Sequence, residues 1–387
     1  MSIFSYQYSI PYLLVALVLF FLYKIEMHDI STGKDAKISH YIAFIIMLIF
    51  IGLRGHLHTD FINYYPYYEW IPNIFEIDGD AFFNIEYLFE PGFVLYTSIC
   101  KTLVNNYFAW IFINTLIDFL VLYYVSKQFC ISRILPFFLL LAFYGLTLEF
   151  NNFRNVKALD LFLISTPFII QKRFIPYLFL NIVGMSFHIS SLIYIFLYPF
   201  LTKKISIRLI GLLVIIVNVI YFLNIHITSY FINILSFLGN NTLDKLSMYQ
   251  DIGNSYKFSF GYFERTFTML LCIYLYHRLI QQNEKNIFLI NCYLFYYLIH
   301  LFFSDVQVFS ERIPLLFVFS YWLLYSNIFI LRYKFRQCIV AILIIISFSK
   351  ITLGSSNITN YYDNVIWGIM SYNERVSNAS SWADQTR

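Results

Sequence analysis

The sequence predicts an all-α polytopic membrane protein of about ten to twelve transmembrane helices, with a re-entrant or interfacial segment and long loops on one side. Three observations predict it. Of 387 residues, 59% are hydrophobic and only 12% are charged, whereas a soluble domain carries roughly twice that charged share. The apolar residues fall in continuous runs rather than alternating, which excludes a β-barrel. The basic residues gather in short loops between those runs, as they do on the cytoplasmic face of membrane proteins.

Apolar runs place membrane helices at Ser9–Tyr23, Ser39–Leu53, Tyr107–Ser126, Ile134–Leu148, Asn155–Ile170, Arg208–Thr228, Gly261–Ile280, Ile287–Phe303, Arg312–Leu331 and Cys338–Thr352. Pro176–Leu201 is flanked by Lys172, Arg173, Lys203 and Lys204. Both ends therefore belong on one side, and the segment reads as a tight hairpin with His188 near its tip. Pro91–Leu103 is too short and polar for a span and is placed as a partly embedded helix. The chain divides into one transmembrane domain, 1–352, with outer loops at about 56–87 and 229–260, and an outer C-terminal tail, 353–387.

Six short loops, Lys24–Lys37, Lys127–Arg133, Lys172–Arg173, Lys203–Arg208, Arg278–Lys285 and Arg332–Arg336, hold about 15 basic residues and about 4 acids; they mark the cytoplasmic face. The termini, the long acidic and aromatic loops and the chemistry then lie outside. Cys100, Cys130, Cys272, Cys292 and Cys338 lie within apolar runs at unrelated spacings, giving neither a disulfide framework nor a metal site. The setting is a bacterial inner membrane facing the periplasm.

Candidate chemistry collects on that side. Arg54, directly after an apolar run, suits a phosphate gripped by paired hydrogen bonds or, as readily, a snorkelling helix end. His56, His58 and Asp60 are spaced as ligands only in an extended segment, so metal binding is the weaker reading. Asp78-Gly79-Asp80 has the form of a diphosphate-metal turn, but a hard cation needs more oxygen ligands. Tyr64, Tyr65, Tyr68 and Trp70 either stack on sugar rings or form an interfacial belt. Glu90, before Pro91, is a helix start or a base, and Glu86 lies near it. Arg154, Lys157 and Asp160 share a helix face. Asp160 can neutralise Lys157, which leaves Arg154 for an anion. His188 at a re-entrant tip can move a proton. Arg312, read as opening a helix beside Glu311 and Asp305, needs an anion to compensate it. Asp118 is an acid deep in a span without an evident partner.

These residues also carry a family likeness. Gly52-Leu53-Arg54, Thr59-Asp60-Phe61 and Tyr64-Tyr65 resemble the first outer loop of the EpsG-type branch of Wzy polysaccharide (O-antigen) polymerases. Glu90-Pro91-Gly92-Phe93 is similar to that family's next motif, Arg154 with Ala158 to its Arg-Gln-x-x-Ala helix start, and Phe187-His188-Ile189-Ser190-Ser191-Leu192 to its hairpin. Glu311-Arg312 resembles its late arginine. His58 stands where glycine is usual, and Asn155 where glutamine is.

The resemblance implies a glycosyltransferase that moves a growing glycan from undecaprenyl pyrophosphate to a sugar hydroxyl of a second lipid-linked repeat. Arg54, Arg154, Arg312 and Lys157 are the expected pyrophosphate ligands. His188, then Asp60 and Glu90, are the expected bases, with no metal and no cofactor. The expected partners are the lipid-linked oligosaccharide, the bilayer and a chain-length-determining membrane protein, and no nucleic acid. A flippase for the same substrate and an O-antigen ligase are the alternatives. A flippase should show two similar halves, and the sequence shows no internal repeat.

Overall fold

Apolar runs become helices where a cap or a proline opens them. Asn106 accepts the Ala109 N–H at 3.0 Å to start Tyr107–Phe129, Ser259 accepts the Tyr262 N–H at 3.1 Å to start Phe260–Gln282, and Pro91 stands in the first turn of Pro91–Leu103. Each either accepts from or removes an N–H that a helix start leaves unpaired. The computed structural model describes residues 2–76, 89–225 and 258–386. Among these the chain is helical, apart from three isolated bridges, Phe4 with Asn357, Arg54 with Asn364 and Asn364 with Gly368.

Among the described residues three helices are long and apolar enough to cross a bilayer: Tyr6–Ser31, Tyr107–Phe129 and Arg336–Ser355. A fourth candidate is the pair Phe309–Leu315 and Phe319–Ile330, bent by 60° just after Pro314. Lys37–Gly52, Phe174–Phe187, Ile189–Leu201, Ile207–Phe222 and Asn286–Phe302 are apolar but shorter. The continuous spans expected at Ile134–Leu148 and Asn155–Ile170 are each broken. Tyr144, left-handed at φ 59°, separates Leu135–Ala142 from Gly145–Asn151. Pro167 opens the short helix Thr166–Ile170 after Phe153–Ile164, because proline cannot continue the preceding hydrogen-bond ladder.

The chain forms two compact units, Met1–Phe196 with Tyr325–Arg387, and Leu197–Leu324. The first has two distinct ends. At one, the buried Glu26 carboxylate pairs with His40 at 2.8 Å and accepts the Arg133 N–H at 2.7 Å, gathering the basic turns after Ile10–Ser31 and Tyr107–Phe129. At the other, Ser5 N–H meets Ser356 O at 2.8 Å and Val365 N–H meets Leu53 O at 2.8 Å. The N-terminus, the turn after Lys37–Gly52 and the segment after Arg336–Ser355 therefore lie together. The segment that follows Arg336–Ser355 is packed here: it contains helix Tyr372–Thr386 and the ion pair of Arg375 with Asp363 at 2.7 Å.

The hairpin expected at Pro176–Leu201 is present. Phe174–Phe187 ends at His188, and Tyr177 Oη donates to Tyr194 O at 2.5 Å, so the two arms run back along each other.

In the second unit, Asn291 Nδ2 donates to Phe200 O at 2.8 Å and Lys203 O at 2.9 Å, tying one basic turn to a helix interior. Asn218, Tyr262 and Tyr297 form a hydrogen-bonded group at 2.7 and 2.8 Å.

Candidate functional site at the hairpin tip

Glycine brings the two elements of the site together. A Cβ on Gly92 would overlap the Ser186 side chain and carbonyl. Only glycine lets the start of Pro91–Leu103 lie against the end of Phe174–Phe187. Glu90, one residue before Pro91, consequently reaches the tip, where its Oε1 accepts the Ile189 N–H at 3.4 Å. Its Oε2 pairs with Arg154 Nη1 at 2.6 Å. The Arg154 guanidinium also lies over the Phe89 ring, 4.5 Å from its centroid. Arg154 and Glu90 remain 23% and 22% exposed, so water reaches both.

His188 leaves the helix in an extended conformation, φ −157°. Its Nδ1 accepts the Ser190 N–H at 3.2 Å and lies 2.7 Å from Ser190 Oγ. Acceptance at Nδ1 assigns the neutral ring's proton to Nε2. Ser190 Oγ in turn donates to Asn155 Oδ1 at 3.2 Å. Asn155, standing where the resemblance expects glutamine, thus ties the tip to the helix that carries Arg154.

Asp60 sits at the start of Phe61–Trp70. Asn151 Oδ1 accepts the Thr59 and Asp60 N–H groups at 3.3 and 3.1 Å, and its Nδ2 lies 2.6 Å from His58 Nδ1. His58 has φ +65°, the left-handed region that accounts for glycine there in the related motif. His56 is buried between the rings of Tyr65, 4.9 Å away, and Tyr107, 5.4 Å away. Burial pushes the pKa of His56 and of His58 down to about 4, because an uncompensated imidazolium is costly away from water.

Other expected site residues are placed differently. Arg54 is 2% exposed and donates to Ile51 O at 2.6 Å, Thr115 Oγ1 at 3.2 Å and Glu149 O. These donors serve two backbone carbonyls and the Thr115 hydroxyl. Lys157 is buried against the Asp118 carboxylate and lies 3.7 Å from Asp160. Asp118 thereby gains its partner, and the Lys157 charge is balanced in place. Arg312 belongs to the second unit, exposed in the last turn of Gln307–Leu315. The helix begins earlier than expected, and a cation is favourable at its end.

Tyr64 and Tyr68 are core residues, 3% and 1% exposed. Tyr68 stacks on Trp110 at 5.2 Å, while Tyr65 packs on Tyr107 at 5.0 Å and Tyr372 at 4.9 Å. The run Tyr64–Trp70 is helix rather than loop, which turns the rings of Tyr64, Tyr67 and Tyr68 inward. Trp70 alone of the four is largely exposed, at 79%; it edges an open groove of about 610 Å³ with Asn73, Phe75 and Lys101. Asp78, Asp80 and Glu86 lie outside the described residues. Among the described residues no three His, Cys, Asp or Glu side chains are grouped to hold a metal ion.

Asn151 was not singled out by sequence reasoning, although it holds the whole turn from His58 to Asp60. The only signal was the pair Asn151-Asn152 at a break between apolar runs.

The fold and these side chains define a helical, multi-pass membrane protein with an accessible arginine, glutamate and histidine at a helix-hairpin tip. The profile of the EpsG family matches residues 37–364, from the second helix through the turn that meets Arg54. The chain belongs to the EpsG family. No curated protein and no solved structure matches it.

Proposed function

We propose that this protein is a polysaccharide polymerase of the bacterial inner membrane. It transfers a growing glycan from undecaprenyl pyrophosphate to a sugar hydroxyl of a lipid-linked repeat on the periplasmic side. The observation that carries this reading is Glu90 bridging Arg154 and the His188 tip while both charged groups stay reachable. Family membership and the gathering of these groups at the end opposite the basic turns support it.

Pyrophosphate is already a good leaving group, so the enzyme must mainly stabilise charge, position two substrates and accept one proton. Arg154 offers a planar fork to the phosphates. An arriving phosphate competes with Glu90 for that guanidinium. As the pair loosens, a carboxylate is left beside the tip. His188 takes the proton of the attacking hydroxyl on Nδ1, which exchanges its Ser190 contact for that hydroxyl, and the proton returns to solvent after the oxygen closes on the anomeric carbon and the phosphate oxygen leaves with the bonding pair. Asp60 orients the acceptor from the Asn151-pinned turn, and the exposed ring of Trp70 offers a face to sugar. Arg54 and Lys157, with their charges committed inside the protein, stabilise the scaffold.

Deletion in the native host, read by electrophoresis of the surface polysaccharide, tests the class of activity. Loss of a polymerase leaves caps of a single repeat. Bare core indicates a ligase, and repeats stranded in the cytoplasm indicate a flippase; either result overturns the proposal.

A further inference from the structure

The turn that carries Asp60 is held from two sides. Asn151 holds one; residues beyond the second long loop hold the other. Gly55 N–H donates to Asp363 O at 3.2 Å, His58 N–H to Thr359 O at 2.8 Å, and Val365 N–H to Leu53 O at 2.8 Å. A Cβ on Gly55 would overlap the Asp363 carboxylate, so the two segments touch backbone to side chain. Asp363 is itself fixed. Its Oδ2 receives Arg375 Nη2 at 2.7 Å and the Met370 N–H at 2.8 Å. Arg375 Nη2 also donates to Tyr361 O at 2.7 Å, and the residue is only 2% exposed. Ser371 and Glu374 start the helix that presents it, the Ser371 N–H meeting Glu374 Oε2 at 3.0 Å. Tyr372 closes the arrangement by packing on Tyr65 at 4.9 Å and on His56 at 5.7 Å.

The family match ends at residue 364, whereas Met370, Tyr372 and Arg375 lie past it. From these contacts we infer that the segment 357–375 is a clamp in which Asp363 and Arg375 act as positioning residues, holding the Arg54–Asp60 turn so that Asp60 faces the acceptor sugar. The inference rests on the polymerase reading for what Asp60 does, but not for the clamp itself. Arg375 touches no reacting atom. It works through Asp363 and the Gly55 amide, two steps from Asp60. A positioning loss of this kind lowers turnover more than it weakens substrate binding.

Two readouts on the full-length protein in lipid nanodiscs separate the possibilities. In Arg375→Ala, backbone amides of Gly55 and His58 should exchange with deuterium about 10- to 100-fold faster while those of Tyr107–Phe129 stay unchanged, because local opening is relieved of a buried charged contact. Unchanged exchange at Gly55 and His58, or faster exchange throughout both segments, overturns the clamp. With purified undecaprenyl-pyrophosphate-linked repeat as substrate, kcat should fall by at least about tenfold with KM within about twofold, and Arg375→Lys should recover part of it. The paired variant Asp363→Asn with Arg375→Met removes both charges and so avoids stranding one in the interior. It should insert normally and repeat the kcat loss; full kcat in that variant also overturns the clamp. Absence of polymerisation by the wild-type protein would contradict the polymerase reading, while the exchange measurement would still decide the clamp.

Discussion

Arg154 and Lys157 lie one turn apart on the helix Phe153–Ile164, each paired with acid, and their environments differ sharply. Arg154 and Glu90 are 23% and 22% exposed, whereas Lys157, Asp118 and Asp160 are 5%, 5% and 8% exposed. The outer pair is a contact that solvent reaches. The inner group is a closed charge balance, with Asn114 O accepting a further Lys157 proton at 3.0 Å. A single turn of helix thus separates a contact that can exchange partners from one that cannot. Charge alone does not mark a site; reachability of the charge does.

The largest expected effect is on the outer group. His188→Ala should reduce polymerisation by about 100- to 10,000-fold, the range for loss of a general base, measured as chain elongation by the reconstituted protein. Elongation within tenfold of wild type would remove His188 from the proton transfer. Arg154→Ala should cost about 100- to 1000-fold, as loss of one preorganised charge-stabilising donor does.

Opening the inner group should instead act on the fold. Lys157→Met leaves two carboxylates facing each other and should destabilise by about 3–5 kcal/mol, seen as a lowered Tm in detergent. Asp118→Asn in the same chain should restore part of the loss. Activity per folded molecule that falls as far as in Arg154→Ala would erase the contrast between the two groups.

A smaller effect comes from pH. His56 and His58 have their folded pKa pushed down to about 4, while an unfolded histidine titrates near 6.5. Between these values the unfolded chain binds protons that the folded chain does not, so stability is full above about pH 6.5 and is lost as pH falls toward 4. Unfolding followed at pH 7.5, 5.5 and 4.5 should show that order. His56→Phe should flatten the slope. The smallest change is expected for Trp70→Ala, on the order of 1 kcal/mol for a lost ring contact, read as a raised apparent KM for the acceptor repeat.

Much of this was legible in the sequence. Pro91–Leu103 and the reversal at His188 follow from apolar length, proline and flanking charge, and those same signals group the turns that carry His40 and Arg133 at one end of the first unit. Side-chain reach was not legible. A run such as Tyr64–Trp70 reads alike as loop or helix, and only the helix decides which rings turn inward. Pairing across the chain was equally hidden: nothing near Asp118 announces Lys157, and nothing near Arg54 announces Asn364. Helix breaks at Tyr144 and Pro167 escaped because continuous hydropathy registers neither a left-handed residue nor a proline. The glycine expected at position 58 was the most informative departure, since the chain keeps the left-handed turn with histidine and pins it with Asn151 and Thr359.

The central claim is that Arg154 grips phosphate with its planar fork, and Arg154→Lys tests it most directly. Lysine keeps the charge and can still face Glu90, but it loses the paired hydrogen bonds. In full-length protein reconstituted with lipid-linked repeats, at matched insertion, the account predicts that the lysine variant elongates glycans almost as poorly as alanine, about 100-fold or more below wild type. Elongation by Arg154→Lys near the wild-type rate would show that Arg154 only balances Glu90, and would contradict the account.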